Sequence, residues 1–162
     1  MLIGSGNPEE GELRPQLLDR FGLSVEVKTP VDLPSRIEVV RRRDEFENDR
    51  AAFIATWAKE ETKLRKKITT ARERLPSVTV TNSALESAAR LCMALGTDGL
   101  RGELTLMRAA RTLAALESAK TVAEDHLRRI APSALRHRLR RNPLDDAGSS
   151  VRVDRAIAEI FG

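Results

Sequence analysis

The sequence predicts a mainly α-helical chain with a short α/β-like beginning, and three observations carry that prediction. From residue 34 onward apolar residues recur at helical spacing, with Ser and Thr at helix starts and Gly at helix ends. The composition is 41% hydrophobic and 32% charged but only 3% aromatic, which points to a helix-rich chain with a core of Leu, Ala, Val and Ile. Only residues 1–33 show short alternating runs broken by Gly and Pro, the pattern of strands and turns.

A length of 162 residues suits one domain able to bury a core. No apolar run reaches the length of a membrane span, and the N-terminus lacks a basic-then-apolar leader. A single cysteine, Cys92, excludes an internal disulfide and fits a reducing cytosol, so a cytoplasmic location is expected. Cys92 itself reads as a small core residue. The net charge of +4 is uneven: residues 1–33 hold 3 basic and 6 acidic side chains, residues 34–75 hold 12 and 8, and residues 76–162 hold 13 and 10. An acidic start and a basic remainder suit parts that face different neighbours.

Taken in order, residues 1–3 read as the end of a buried strand, which Gly4-Ser5-Gly6-Asn7-Pro8 breaks, leaving Asn7 at its tip. Residues 13–21 form one short helix, with Pro15 tolerated in its first turn and Arg20 beside Asp19 at its far end. Gly22 ends that helix, and residues 24–27 alternate like a second strand. Two short strands make no stable sheet alone, so this piece is expected to be poorly ordered or to self-associate in isolation. An amide at a strand tip followed by an arginine at a helix end is a layout for sensing phosphate. The same residues equally describe a plain strand, turn and capped helix with solvated charges.

Pro30 and Pro34 bracket a hinge, and Ser35 opens a helix over residues 36–48 whose exposed face mixes Arg41, Arg42 and Arg43 with acids. Residues 50–75 form one long helix. Ile54, Trp57, Glu61, Leu64, Ile68, Ala71 and Leu75 follow steps of three and four, a seam expected to pack on the preceding helix. Residues 76–80 form a linker. Ser83-Ala84-Leu85-Glu86 has capping-box spacing, with Leu85, Ala88, Cys92 and Leu95 as the apolar face and Gly96 as the stop. Gly99 and Gly102 flank Leu100-Arg101 at the start of the next helix, which runs to about residue 118. Thr121-Val122-Ala123-Glu124 is a second capping box, and Pro132 interrupts or restarts the helix it opens. Residues 142–149 form a polar turn, and a last helix over 151–161 carries Val153, Ile157 and Ile160 on one side. Four or so such helices make a bundle.

Arg101 stands at a helix start, where the dipole does not favour a cation; Arg108 follows seven residues on. Both could be surface arginines paired with Glu103 or Asp98. Between residues 128 and 141 there are six arginines and no acid, with His137 among them. His126 and His137 lack a further ligand at metal spacing, so no metal site is expected.

The runs Gly4-Ser5-Gly6-Asn7-Pro8-Glu9-Glu10-Gly11 and Leu13-Arg14-Pro15-Gln16-Leu17-Leu18-Asp19-Arg20-Phe21-Gly22 resemble the sensor 1 and arginine-finger region of the magnesium chelatase ATPase subunit, the I subunit, an AAA+ protein. Gly99-Leu100-Arg101-Gly102-Glu103-Leu104-Thr105-Leu106 and His137-Arg138-Leu139-Arg140-Arg141-Asn142-Pro143-Leu144-Asp145 resemble that family's helical lid, so the likeness covers essentially the whole chain. It implies the end of an AAA+ α/β core over residues 1–33 (two short strands and one short helix), connecting helices over 34–75 and a helical-bundle lid over 76–162. It implies Asn7 as sensor 1, Arg20 as the catalytic arginine finger and Arg101 as sensor 2. It further implies ATP and Mg²⁺ in the complete subunit, a homo-oligomeric ring, and two partner subunits, one AAA+-like and one large and porphyrin-binding. The family's reaction couples ATP hydrolysis to insertion of Mg²⁺ into protoporphyrin IX for chlorophyll and bacteriochlorophyll synthesis.

The chain departs from the family in one respect. It has no G-x-x-x-x-G-K-[ST] loop and no hydrophobic strand ending in an acidic pair for Mg²⁺. It therefore resembles only the C-terminal portion of such a subunit and is expected to be inactive alone. A second reading is a basic helical adaptor or nucleic-acid-binding protein, resting on the arginine strip and the Lys-rich long helix. The missing stacking aromatics make nucleic acid the less favoured partner.

Overall fold

A computed structural model describes residues 2–7, 14–97, 99–139 and 149–162. Its elements are α1 (Pro15–Leu18), α2 (Leu33–Asn48), α3 (Arg50–Arg74), α4 (Asn82–Leu95), α5 (Arg101–Leu116), α6 (Glu124–Leu135) and α7 (Ser149–Phe161), with 3-10 turns at Leu75–Ser77 and Arg136–Arg138. The mainly α expectation holds. The expected polar turn, Arg140, Arg141 and the run from Pro8 to Leu13 lie wholly or largely outside the described residues.

The two expected strands are absent among the described residues. Residues 2–7 and 24–27 run without a ladder, and Val25 and Val27 are 70% and 91% exposed. Alternation makes a strand only where a neighbouring strand takes up the backbone groups, and here the Ser24 N–H donates to Ser133 O of α6 at 2.8 Å. The short helix is also shorter than the expected 13–21, covering one turn.

The core lies among α4, α5, α6 and α7, with α5 and α6 packed most extensively. Leu91, Leu106, Leu127, Leu135, Val153 and Cys92 are its largest fully buried side chains. Cys92 is the core residue expected; burial, with Glu103 nearby, pushes its thiol up to about 11. The α4 face differs in one member: Leu85 is 48% exposed, and Ala84 and Leu91 take the core positions. In α7, Val153 and Ile157 are buried and Ile160 packs partly against the core, as the spacing required.

Helix starts shift from the sequence reading. Asp32, not Ser35, caps α2 by accepting the Ser35 N–H at 2.9 Å. Thr81, not Ser83, caps α4 through the Ala84 N–H. Thr121 caps nothing: it forms an isolated parallel bridge with Thr79, and Ala123 is the residue from which α6 springs, its N–H donating to His126 Nδ1 at 2.8 Å. Pro132 sits inside α6 without ending it. Gly96 closes α4 with φ +64°, as its position required.

α2 and α3 are joined by Asp49 alone, which ends one helix and caps the next through the Ala52 N–H. They meet through Phe46, Phe53 and Trp57, with ring centroids 5.6 and 6.0 Å apart and Arg42 stacked 4.5 Å over Trp57. The expected seam is thus only partly used. Ile54 and Leu64 are each 55% exposed, and Ala71 is the one buried member.

Candidate functional site

The chain after α1 turns tightly. Arg20 and Phe21 donate their N–H groups to Leu17 O and Leu18 O, each at 3.0 Å, and this fixes the turn Asp19-Arg20-Phe21. The helical bundle grips the turn from the other side. Arg138, in the 3-10 turn after α6, has a side chain only 4% exposed. Its Nη1 donates to Asp19 O at 2.9 Å and to Asp19 Oδ1 at 2.6 Å. Its Nη2 donates to Phe21 O at 2.8 Å and to Thr105 Oγ1 at 3.3 Å, and its Nε to Ala134 O at 3.0 Å.

His137 lies 3.0 Å through Nε2 from the same Phe21 carbonyl. A carbonyl only accepts, so Nε2 carries the proton and neutral His137 leaves Nδ1 bare. That Nδ1 is buried without a hydrogen-bond partner. Burial lowers the imidazole's pKa below its usual 6.5 and the adjacent Arg138 charge lowers it further, while the bond to Phe21 O acts the other way.

Arg101 is the first residue of α5, which follows Gly99 at φ +64° and has no side-chain cap. Glu103 is not its partner, and Asp98 lies outside the described residues. Arg101 pairs instead with Asp19 Oδ2, so one carboxylate bridges two lid arginines. Arg101 remains 59% exposed along its side chain and can turn to another anion. Arg20, between the two gripped peptide units, is exposed and makes no hydrogen bond or ion pair among the described residues. It lines a surface hollow with Arg14, Gln16 and Leu17. Asn7 is exposed on the segment 2–7, whose Gly4 lies against the Phe21 ring; a methyl there would sit 3.8 Å from Cε1 and Cζ.

The structure therefore brings Arg20 and Arg101 to one turn and runs the Asn7 segment past it. Sequence reasoning missed Arg138 and Asp19 as the hub. Two acids of the N-terminal part meet arginines from later in the chain: Arg101 and Arg138 take Asp19, and Arg136 lies 3.9 Å from Glu26. That opposite charge was the available signal. The rest of the described strip is also paired, Arg128 with Asp125 and Arg129 with Asp125 and Glu117.

The helical bundle, with Arg101 near a glycine-marked helix start, packs against the turn that carries Arg20. Residues 85–160 match the family described as AAA lid domain. The fold is also that of a crystal structure of a proposed ATPase from Cytophaga hutchinsonii, with a TM-score of 0.66 at 17% identity over 93% of this chain and 49% of that one.

Among curated relatives, the magnesium-chelatase 38 kDa subunit of Acidiphilium rubrum is 64% identical over 99% of this chain and 47% of its own length. That of Rhodobacter capsulatus is 60% identical over 98% and 45%. The chloroplastic magnesium-chelatase subunit ChlI-1 of Arabidopsis thaliana is 45% identical over 99% and 38%. The chain belongs to this magnesium-chelatase subunit family, as its lid-bearing C-terminal portion, and spans about half the length of the curated relatives it matches. No helix among the described residues is long and apolar enough to cross a membrane.

Proposed function

We propose that the chain supplies the arginine finger and the sensing lid of the ATPase that drives magnesium insertion into protoporphyrin IX. The observation that carries this is Arg20: an exposed guanidinium, unpaired among the described residues, on a turn where Arg138 holds the carbonyls of Asp19 and Phe21. A free cation on a fixed backbone suits stabilisation of charge on a phosphoryl group presented by a neighbouring subunit. Residues 1–33 act as the edge of the nucleotide-binding core, 34–75 as connecting helices and 76–162 as the lid.

The residues present fit the terminal phosphate of a nucleotide rather than the whole of it. Arg20 and Arg101 offer cations, and Asn7 an amide able to hold a phosphate oxygen or a water. The sequence contains neither the loop that cradles a triphosphate nor the acidic pair that holds Mg²⁺. ATP and Mg²⁺ bind chiefly to the remainder of the complete subunit, where Mg²⁺ neutralises charge on the phosphates. Arg101 would hold the terminal phosphate of its own protomer's nucleotide, and Arg20 would offset charge on that of the neighbouring protomer. The working assembly is a homo-oligomeric ring in the cytoplasm, coupled to the AAA+-like and the large porphyrin-binding subunits.

In that assembly Arg20→Ala is expected to lower the ATP turnover rate by about 10³-fold or more, with nucleotide binding retained. Turnover equal to the unsubstituted protein would remove the arginine-finger assignment. The pairing of the strip's described arginines, Arg128, Arg129, Arg136 and Arg138, with the chain's own carboxylates weighs against the nucleic-acid reading.

A further inference from the structure

The Arg20 side chain makes no hydrogen bond or ion pair among the described residues, so the backbone on either side of it sets where that side chain starts. We infer that Arg138 is the positioning residue of Arg20: its buried guanidinium, carried by the lid, holds the carbonyl groups of the residues on either side of the finger, Asp19 and Phe21. This rests on the arginine-finger reading of Arg20.

A guanidinium has five N–H donors in a rigid planar fork. Arg138 places all five on acceptors: Asp19 O, Asp19 Oδ1, Phe21 O, Thr105 Oγ1 and Ala134 O. Three of these lie on the residues immediately before and after Arg20, and the other two belong to α5 and α6. The fork therefore joins the finger turn to two lid helices through one side chain that water hardly reaches. His137 adds a second bond to Phe21 O and keeps that peptide unit in place. A lid that shifts as a body carries the turn with it, so the lid's response to its own nucleotide is passed to the finger that serves the next subunit. Lysine cannot substitute, because a point charge with three donors does not reproduce the planar fork.

The test uses Arg138→Lys, Arg20→Ala and the double variant in the assembled ATPase that contains this chain. Displacing the finger is expected to lower kcat about 10²-fold while KM for ATP stays nearly constant. The double variant should turn over no more slowly than Arg20→Ala alone, because a misplaced finger and a missing one are the same loss. In the 162-residue chain, hydrogen exchange at the Ser24 amide should accelerate in Arg138→Lys, while the buried amides of Leu106 and Leu127 stay protected.

If Arg20→Ala leaves turnover unchanged, the finger reading fails, and the exchange measurement separately decides whether Arg138 holds the turn. If Arg20→Ala slows turnover and Arg138→Lys does not, the inference alone fails. Losses that multiply in the double variant overturn it, since Arg138 then acts through something other than Arg20. Lost protection at Leu106 and Leu127 also overturns it, because Arg138 would then be a strut of the core.

Discussion

Arg101 owes its place to the glycine that follows it. A Cβ on Gly102 would meet Thr97 Oγ1 at 3.2 Å, Cys92 Sγ at 3.3 Å and Leu135 Cδ2 at 3.5 Å. The first turn of α5 thus lies directly on the end of α4 and the end of α6, and only a residue without a side chain allows that approach. Gly102→Val overpacks this junction and is expected to cost about 1–3 kcal/mol of stability. A thermal unfolding midpoint equal to that of the unsubstituted chain would show that the junction has room the structure does not display. The glycines around Arg101 were legible because a glycine at a helix boundary has few explanations. Arg138 was not, because its acceptors on Asp19 lie 119 residues away and a run of arginines looks the same whether solvated or gripped.

At the scale of elements, the existence of the helices followed from periodicity, and their first residues did not. Ser, Thr and Asp compete for the same orphan N–H groups, and the winner is decided by where the preceding chain comes from. Thr81 takes the Ala84 N–H because Thr79 is pinned to residues 120–122: its N–H donates to Lys120 O at 2.9 Å and its O accepts from Val122 at 3.0 Å. The chain then enters α4 two residues before Ser83. Ser83 therefore lies inside the helix, and its role as a cap is lost. Thr81→Ala should destabilise the lid by about 1 kcal/mol, whereas Ser83→Ala should change it little or improve it. Chemical denaturation of the two variants separates the assignments, and the reverse order of effects would restore the capping box. The missing strands have a different cause. Alternation specifies a face, but pairing needs a partner, and in residues 24–27 the Ser24 N–H bonds a helix while Val25 and Val27 stay exposed.

At the scale of the molecule, the acidic N-terminal segment and the basic lid are held together at a few points, and one of these rests on a histidine whose pKa is lowered. His137 faces Phe21 O through Nε2, with Arg138 and Asp19 beside it and Arg136 and Glu26 close by in sequence to the partners of the turn. Its pKa is lowered in the docked state, so that state binds fewer protons than the released one between the lowered value and 6.5. The docking it supports is fully present above 6.5 and is lost as pH falls below it. Protonation would place a second charge next to Arg138 and put a buried N–H at Nδ1, where no acceptor waits. Lowering the pH from about 7.5 to about 5.5 should therefore raise the exchange rate of the Ser24 amide, after correction for intrinsic chemistry, while Leu127 in the core is unaffected. Glutamine at this position keeps a donor near Nε2 but cannot titrate. His137→Gln should hold the turn equally at both pH values, and a pH response that survives this substitution would show that His137 is not its source.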